Sequence, residues 1–204
     1  MELNEETIRS LSKLPTGNVA DNNPGGSVLD YSLQAMNPVL YMIGRAFPVE
    51  GFPGDNLPIH EAIRRAEKGD VLIVDCKGFT KGGHFGDVMA TACKEKGLAG
   101  AVIIGTCRDR EDIRSLGFPV YALGTCPAPT TKVHHASFPG QITVGNACIR
   151  KGDLIFGDGD GIVVVPYEDE DDVMQKALAK YDKEQVILQT LCEGTPLWDM
   201  LHFE

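Results

Sequence analysis

Three short apolar runs constrain this chain more than any other feature. They are DVLIVD at 70–75, AVIIG at 101–105 and FPVYAL at 118–123. Each is continuous rather than alternating, which predicts strands buried on both faces. Between them lie stretches of helical character, Asp87 to Lys96 stopped by Gly97 and Arg110 to Leu116 stopped by Gly117. Strand, helix, strand, helix, strand predicts right-handed crossovers and a parallel sheet. The fold class is therefore α/β.

The rest of the chain reads around that frame. Helices are expected over Asn4 to Leu14, shortly after Asn18, and over Ile59 to Lys68 before Gly69; a strand is expected over Val39 to Phe47. CKGFTKGGHFG, 76–86, reads as a glycine-rich loop. From Gln141 several short runs separated by turn signals predict antiparallel β, with GDGDG at 157–161 as a tight turn rather than a calcium loop. A long helix over Val173 to Cys192 carries an apolar stripe of Met174, Ala177, Leu178, Tyr181 and Leu188. The 204 residues show no repeat or linker, so one domain spans 1–204.

Bulk properties exclude several functions. A net charge of −10 repels phosphate backbones, so no nucleic-acid partner is expected. No apolar stretch approaches the roughly 20 residues needed to span a bilayer, so no membrane partner is expected. MELNEETIRSL lacks the basic start and apolar run of a signal peptide. The six cysteines form no CxxC pair and read as reduced thiols. Together these predict a soluble, cytoplasmic protein.

One spacing stands out on the parallel frame. Asp87 opens a helix, and the dipeptide Arg108-Asp109 follows the next strand. A helix of about ten residues carries the chain roughly 15 Å away. The strand after it returns by about the same distance. The two acids and the guanidinium then meet beyond the carboxyl ends of two parallel strands, where open α/β sheets bind ligands. Gly86 allows close approach, and the first helical amides at Val88 and Met89 make an anion site. Arg108 offers a planar fork for a carboxylate or enolate oxygen. Asp87 and Asp109 are hard oxygen ligands suited to Mg²⁺ or Mn²⁺. The same residues also admit a plainer reading, with Asp87 as a first-turn acid, Asp109 as the N-cap of the next helix and Arg108 as a surface charge.

Asp87, twenty intervening residues and Arg108-Asp109 resemble the D-x20-R-D signature of the class II pyruvate aldolases of the 4-hydroxy-4-methyl-2-oxoglutarate / 4-carboxy-4-hydroxy-2-oxoadipate type. PGDNLPIHEAI, GDVLIVD, GLAGAVIIGTCRD, LGFPVYA and GDLIFGDGDGIVVVP resemble segments of that family in the same order. The family shares its fold with the regulator of ribonuclease activity A. The resemblance implies a swivelling β/β/α domain, a layered αββα sandwich, with a C-terminal helix contacting a neighbouring subunit. It implies a homotrimer or a hexamer of stacked trimers with sites between subunits. Asp109 would be the metal ligand, Arg108 would bind and polarise the pyruvyl oxygen, and Asp87 would hold a water on the metal. The amides of Gly86, Val88 and Met89 would take the substrate carboxylate. The family also uses a C-terminal acid from a neighbouring subunit, and Glu184 is the candidate here.

The implied activity is divalent-metal-dependent retro-aldol cleavage of a 4-hydroxy-2-oxo acid to pyruvate, together with oxaloacetate decarboxylation. The alternatives are a non-catalytic, protein-binding regulator of ribonuclease activity on the same scaffold, and a lyase or hydratase on another 2-oxo acid. The sequence departs from the family in IIGTCRD, where Ile104 precedes Gly105, and in the loops FTKGGHFG and CPAPTTKVHHASFPG. His84 is a candidate for the distal end of a substrate or a plain loop histidine. Lys132 could approach the site from its loop, and Asn56 could brace loops around it. His134 and His135 are adjacent in an extended segment and should point apart rather than share a metal.

Overall fold

The computed structural model describes residues 1–200. The chain opens with α1 (Glu5–Leu11), α2 (Thr16–Ala20), β1 (Ser27–Val28) and β2 (Gln34–Ala35). Then come β3 (Met42–Glu50), α3 (Leu57–Arg65), β4 (Asp70–Phe85), α4 (Asp87–Glu95), β5 (Gly100–Cys107), α5 (Arg110–Leu116) and β6 (Val120–Ala122). The remainder is β7 (Gln141–Val144), β8 (Ala147–Arg150), β9 (Leu154–Gly157), β10 (Ile162–Val165), α6 (Glu170–Cys192) and α7 (Leu197–Met200).

Eight strands form one mixed sheet in the order β1-β10-β9-β3-β4-β5-β6-β2, and β7 with β8 forms a separate hairpin. Neighbours from β3 to β6 are parallel, as the continuous apolar runs require, and the flanking strands are antiparallel. Alternate residues sort to opposite faces. Leu72, Val74, Ala101 and Ile103 pack with Ile59, Ala90, Cys93 and Ile113 of α3, α4 and α5. Val71, Ile73 and Val102 pack on the other face with Ile142 and Ile149 of the hairpin. Helices, central sheet and hairpin thus make the layers expected of the α/β class. A third cluster, containing Leu154, Phe156, Val163 and Val165, lies under α6 and the N-terminal helices.

Glu170 begins α6 and is buried; Arg45 on β3 pairs with it and also donates to the Gly152 carbonyl at 3.2 Å. This fixes the start of α6 to the sheet. Of the apolar stripe, Met174 and Ala177 are buried and Leu178 and Tyr181 pack against the core, but Leu188 is exposed. Past Tyr181 the helix runs beyond the sheet that the stripe was meant to cover.

The largest departure from expectation is β4. Residues 76–85 are not a free loop; they continue the strand beside β5, with register shifts between Val74 and Phe79, Phe79 and Gly83, and Gly83 and Phe85. The glycines serve close approach more than turning. A Cβ at Gly83 would stand 2.5 Å from the Cys126 carbonyl and 2.9 Å from the Arg108 Cβ. α2 begins at Thr16, ahead of the expected position, because the Asp158 carboxylate accepts from the Thr16 amide and hydroxyl, both at 2.8 Å. That acid belongs to GDGDG, which is a tight turn between β9 and β10. No helix among the described residues is long and apolar enough to cross a membrane.

Candidate active site

The extended β4 delivers Gly86 and Asp87 to the carboxyl end of the sheet, and β5 delivers Arg108 and Asp109 beside them. The Arg108 amide donates to the Phe85 carbonyl at 2.9 Å, which ties the two strand ends together. Asp109 has φ 57° and ψ 42°, a left-handed conformation that aspartate tolerates better than most residues. It sits at the N-cap position of α5, yet its side chain makes no capping bond there. The carboxylate turns back instead. Its Oδ2 accepts from the Asp87 amide at 3.4 Å and lies 3.3 Å from Arg108 Nε. The N-cap reading of Asp109 therefore holds for its place in the chain and not for its side chain.

Gly86 makes that return possible. A Cβ on it would stand 2.4 Å from Asp109 Oδ2. The backbone at Gly86 is extended, so the constraint is space and not dihedral freedom. The Val88 amide differs from expectation: it is not free, because Asp87 Oδ1 accepts from it at 2.7 Å. A carboxylate one residue away saturates it before any ligand arrives. Met89, third in α4, has no carbonyl partner within the helix for its amide.

A cleft of about 200 Å³ opens at this corner. Gly86, Asp87, Val88, Met89 and Arg108 line one side, and Asn56, His60 and Lys132 line another. Asn56 Oδ1 is buried in the protein without a hydrogen-bond partner. His60 is held below the usual histidine value by partial desolvation and then by the Lys132 charge, so it is neutral at pH 7. Sequence reasoning passed over His60, although its place four residues after Asn56, one turn along α3, points it the same way. A larger cleft between α1 and the ends of β3 and β5 contains neither the paired acids nor the arginine.

The loop at 126–140 meets the segment between β3 and α3 beside the cleft, to which it contributes Lys132. Asp55 is fully buried and accepts from the Leu57 amide at 2.9 Å, the Thr131 hydroxyl at 2.9 Å, and the Val133 and His134 amides at 2.7 and 3.1 Å. Burial alone would raise its pKa; these donors outweigh it and hold the carboxyl well below the usual range. His134 stacks on Phe52 and reaches Asp55, whereas His135 reaches Glu61. The two histidines point apart, as expected. His84 borders the cleft from within the wall between β4 and β5, with its side chain fully buried rather than exposed.

Glu184 is not brought to this cleft within the chain. It lies on α6, where its Oε2 accepts from Asn18 Nδ2 at 2.6 Å. Buried thiols do not offer a nucleophile: desolvation pushes Cys76 and Cys93 up to about 12. No group of three or more His, Cys, Asp or Glu among the described residues converges as a metal site. That argues against a closed, zinc-type centre. Two carboxylates beside a cradle that admits only glycine do fit Mg²⁺ or Mn²⁺, which keep most of their water.

Known proteins resemble this chain in sequence and in fold. A Halalkalibacterium halodurans protein named "Putative 4-hydroxy-4-methyl-2-oxoglutarate aldolase" is 34% identical over 173 residues, 85% of this chain and 82% of that one. The solved RNA-processing inhibitor RraA from Thermus thermophilis superposes with a TM-score of 0.69 at 26% identity, covering 74% of this chain and 92% of that one. An uncharacterized protein from Pseudomonas syringae pv. tomato superposes with a TM-score of 0.85 at 22% identity, covering 98% and 94%, which extends the likeness in fold to α6. The RraA-like model, described as Aldolase/RraA, matches residues 16–164, a span that contains the whole Asp87, Arg108 and Asp109 corner, and the chain belongs to that family.

Proposed function

We propose that the cleft is the active site of a lyase that cleaves a 4-hydroxy-2-oxo acid by retro-aldol chemistry and releases pyruvate, with oxaloacetate decarboxylation as a second activity. The observation that carries this reading is the bond from the Asp87 amide to Asp109 Oδ2, which gathers two acids and a guanidinium around one anion pocket. The aldolase name of the relative supports the same reaction class.

The chain's own residues divide the work. The amide of Met89, with that of Gly86, takes the substrate carboxylate at the positive end of α4. Arg108, about half exposed, lays its fork on the 2-oxo oxygen and stabilises the negative charge that grows there as the C–C bond breaks. Asp109 would hold Mg²⁺ or Mn²⁺, with Asp87 reaching it through water, and the ion would supply Lewis acidity toward the 2-oxo group. Asp87 keeps Oδ2 free of its own helix and can hold a water at the pyruvyl carbon, where the proton is delivered. Lys132 supplies positive charge for a distal carboxylate, and neutral His60 supplies a hydrogen bond. Glu184 would act from a neighbouring subunit of a homotrimer or hexamer. The test follows pyruvate release from oxaloacetate and from a panel of 4-hydroxy-2-oxo acids with Mg²⁺, with EDTA, and with Arg108→Ala. Strong loss in the last two is expected; unchanged rates would favour a protein-binding regulator.

A further inference from the structure

The segment holding His84 is one where the chain departs from the family pattern, and its geometry there is specific. His84 is fully buried, with its ring edge-on to Phe79 at 5.6 Å between centroids. Nε2 accepts from the Gly54 amide at 3.0 Å. Nδ1 lies 3.3 Å from the Thr106 carbonyl oxygen. A carbonyl needs a donor and an amide needs an acceptor, so this network assigns the neutral Nδ1–H tautomer. Desolvation pushes the pKa of His84 down, which favours the same neutral form.

The ring therefore links the sheet to a loop. Thr106 belongs to β5 and His84 to β4, both in the rigid centre of the fold. Gly54 belongs to the segment between β3 and α3, and two residues later comes Asn56 with its unpartnered Oδ1 at the cleft. The Asn56 amide is held on the far side by the Thr131 carbonyl at 3.0 Å. We infer that His84 is a positioning residue: it clamps the Gly54 amide and so sets Asn56 against the distal part of the substrate. The inference rests on the lyase reading for its effect on turnover, and on geometry alone for the clamp. A leucine at 84 would fill similar space and leave the Gly54 amide without its acceptor.

The test has three arms on the full-length protein. Nitrogen-15 NMR of the histidine rings should find His84 as Nδ1–H at neutral pH; an Nε2–H or doubly protonated ring overturns the clamp. Amide exchange at Gly54 should quicken about tenfold or more in His84→Leu, and His84→Gln, which returns an acceptor near Nε2, should restore protection. With a substrate that releases pyruvate, His84→Leu should lose about tenfold or more in kcat/KM, mainly through KM. The losses of His84→Leu and Asn56→Ala should then be non-additive in the double variant; additive losses overturn the inference. If the wild type releases pyruvate from no 2-oxo acid, the lyase reading fails while the NMR and exchange arms still decide the clamp.

Discussion

Replacing Gly86 by alanine separates chemistry from stability at a single atom. The new methyl would stand 2.4 Å from Asp109 Oδ2, so that oxygen must retreat by roughly 1 Å to reach ordinary contact. The retreat breaks the bond from the Asp87 amide and loosens the contact with Arg108 Nε. The lost hydrogen bond costs about 1 kcal/mol. Gly86 is extended, so alanine is compatible with the backbone and offsets ~0.4–1 kcal/mol by restricting the unfolded chain. The net change in stability is near zero, and Tm should hold within about 2–4 °C. A reacting group displaced by 1 Å loses on the order of 10²-fold in rate, or about 2.7 kcal/mol in the barrier. Thermal melts and pyruvate-release assays on one preparation measure both. Full activity in Gly86→Ala would refute the role given to Asp109, and a Tm lower by 10 °C or more, on the scale above, would show that the glycine serves the backbone.

Asp55 predicts a pH effect of definite sign. Its folded pKa is lowered, so its contribution to stability is complete above the unfolded value of about 3.9 and fades as pH falls below that value toward the folded one. Asp55→Asn should lower Tm at pH 7 by roughly 4–8 °C, for ~2 kcal/mol, and flatten the loss of Tm between about pH 4 and 2, measured by scanning calorimetry. Glu184 predicts complementation between subunits. Arg108→Ala and Glu184→Ala should each be inactive alone and regain part of the pyruvate-release activity after subunit exchange; silence in the mixture would mean that Glu184 serves only its own chain, through Asn18.

The frame and the corner were legible because their signals are local. Continuous apolar runs fix buried strands, and Gly97 and Gly117 close helices at positive φ of 79° and 70°. Helix length and strand length then determine that residues 87 and 108 meet. What the sequence hid depends on partners distant in the chain. The run 76–85 is rich in glycine and reads as a turn, but pairing with β5 draws it into the sheet. His84 is polar and next to glycines, and only the Gly54 amide and the Thr106 carbonyl explain its burial. The Val88 amide looked available because helix rules count backbone partners and not a neighbouring carboxylate.

The left-handed turn at Asp109 also limits how this corner can change over generations. Among side chains, asparagine alone combines ease in that conformation with nearly the same outline as aspartate. It would keep the neighbouring amide satisfied and remove the negative charge. On the proposed lyase reading, a single such exchange would retire the chemistry while leaving the architecture whole, so that a catalyst and an inert scaffold of this shape would stand one substitution apart.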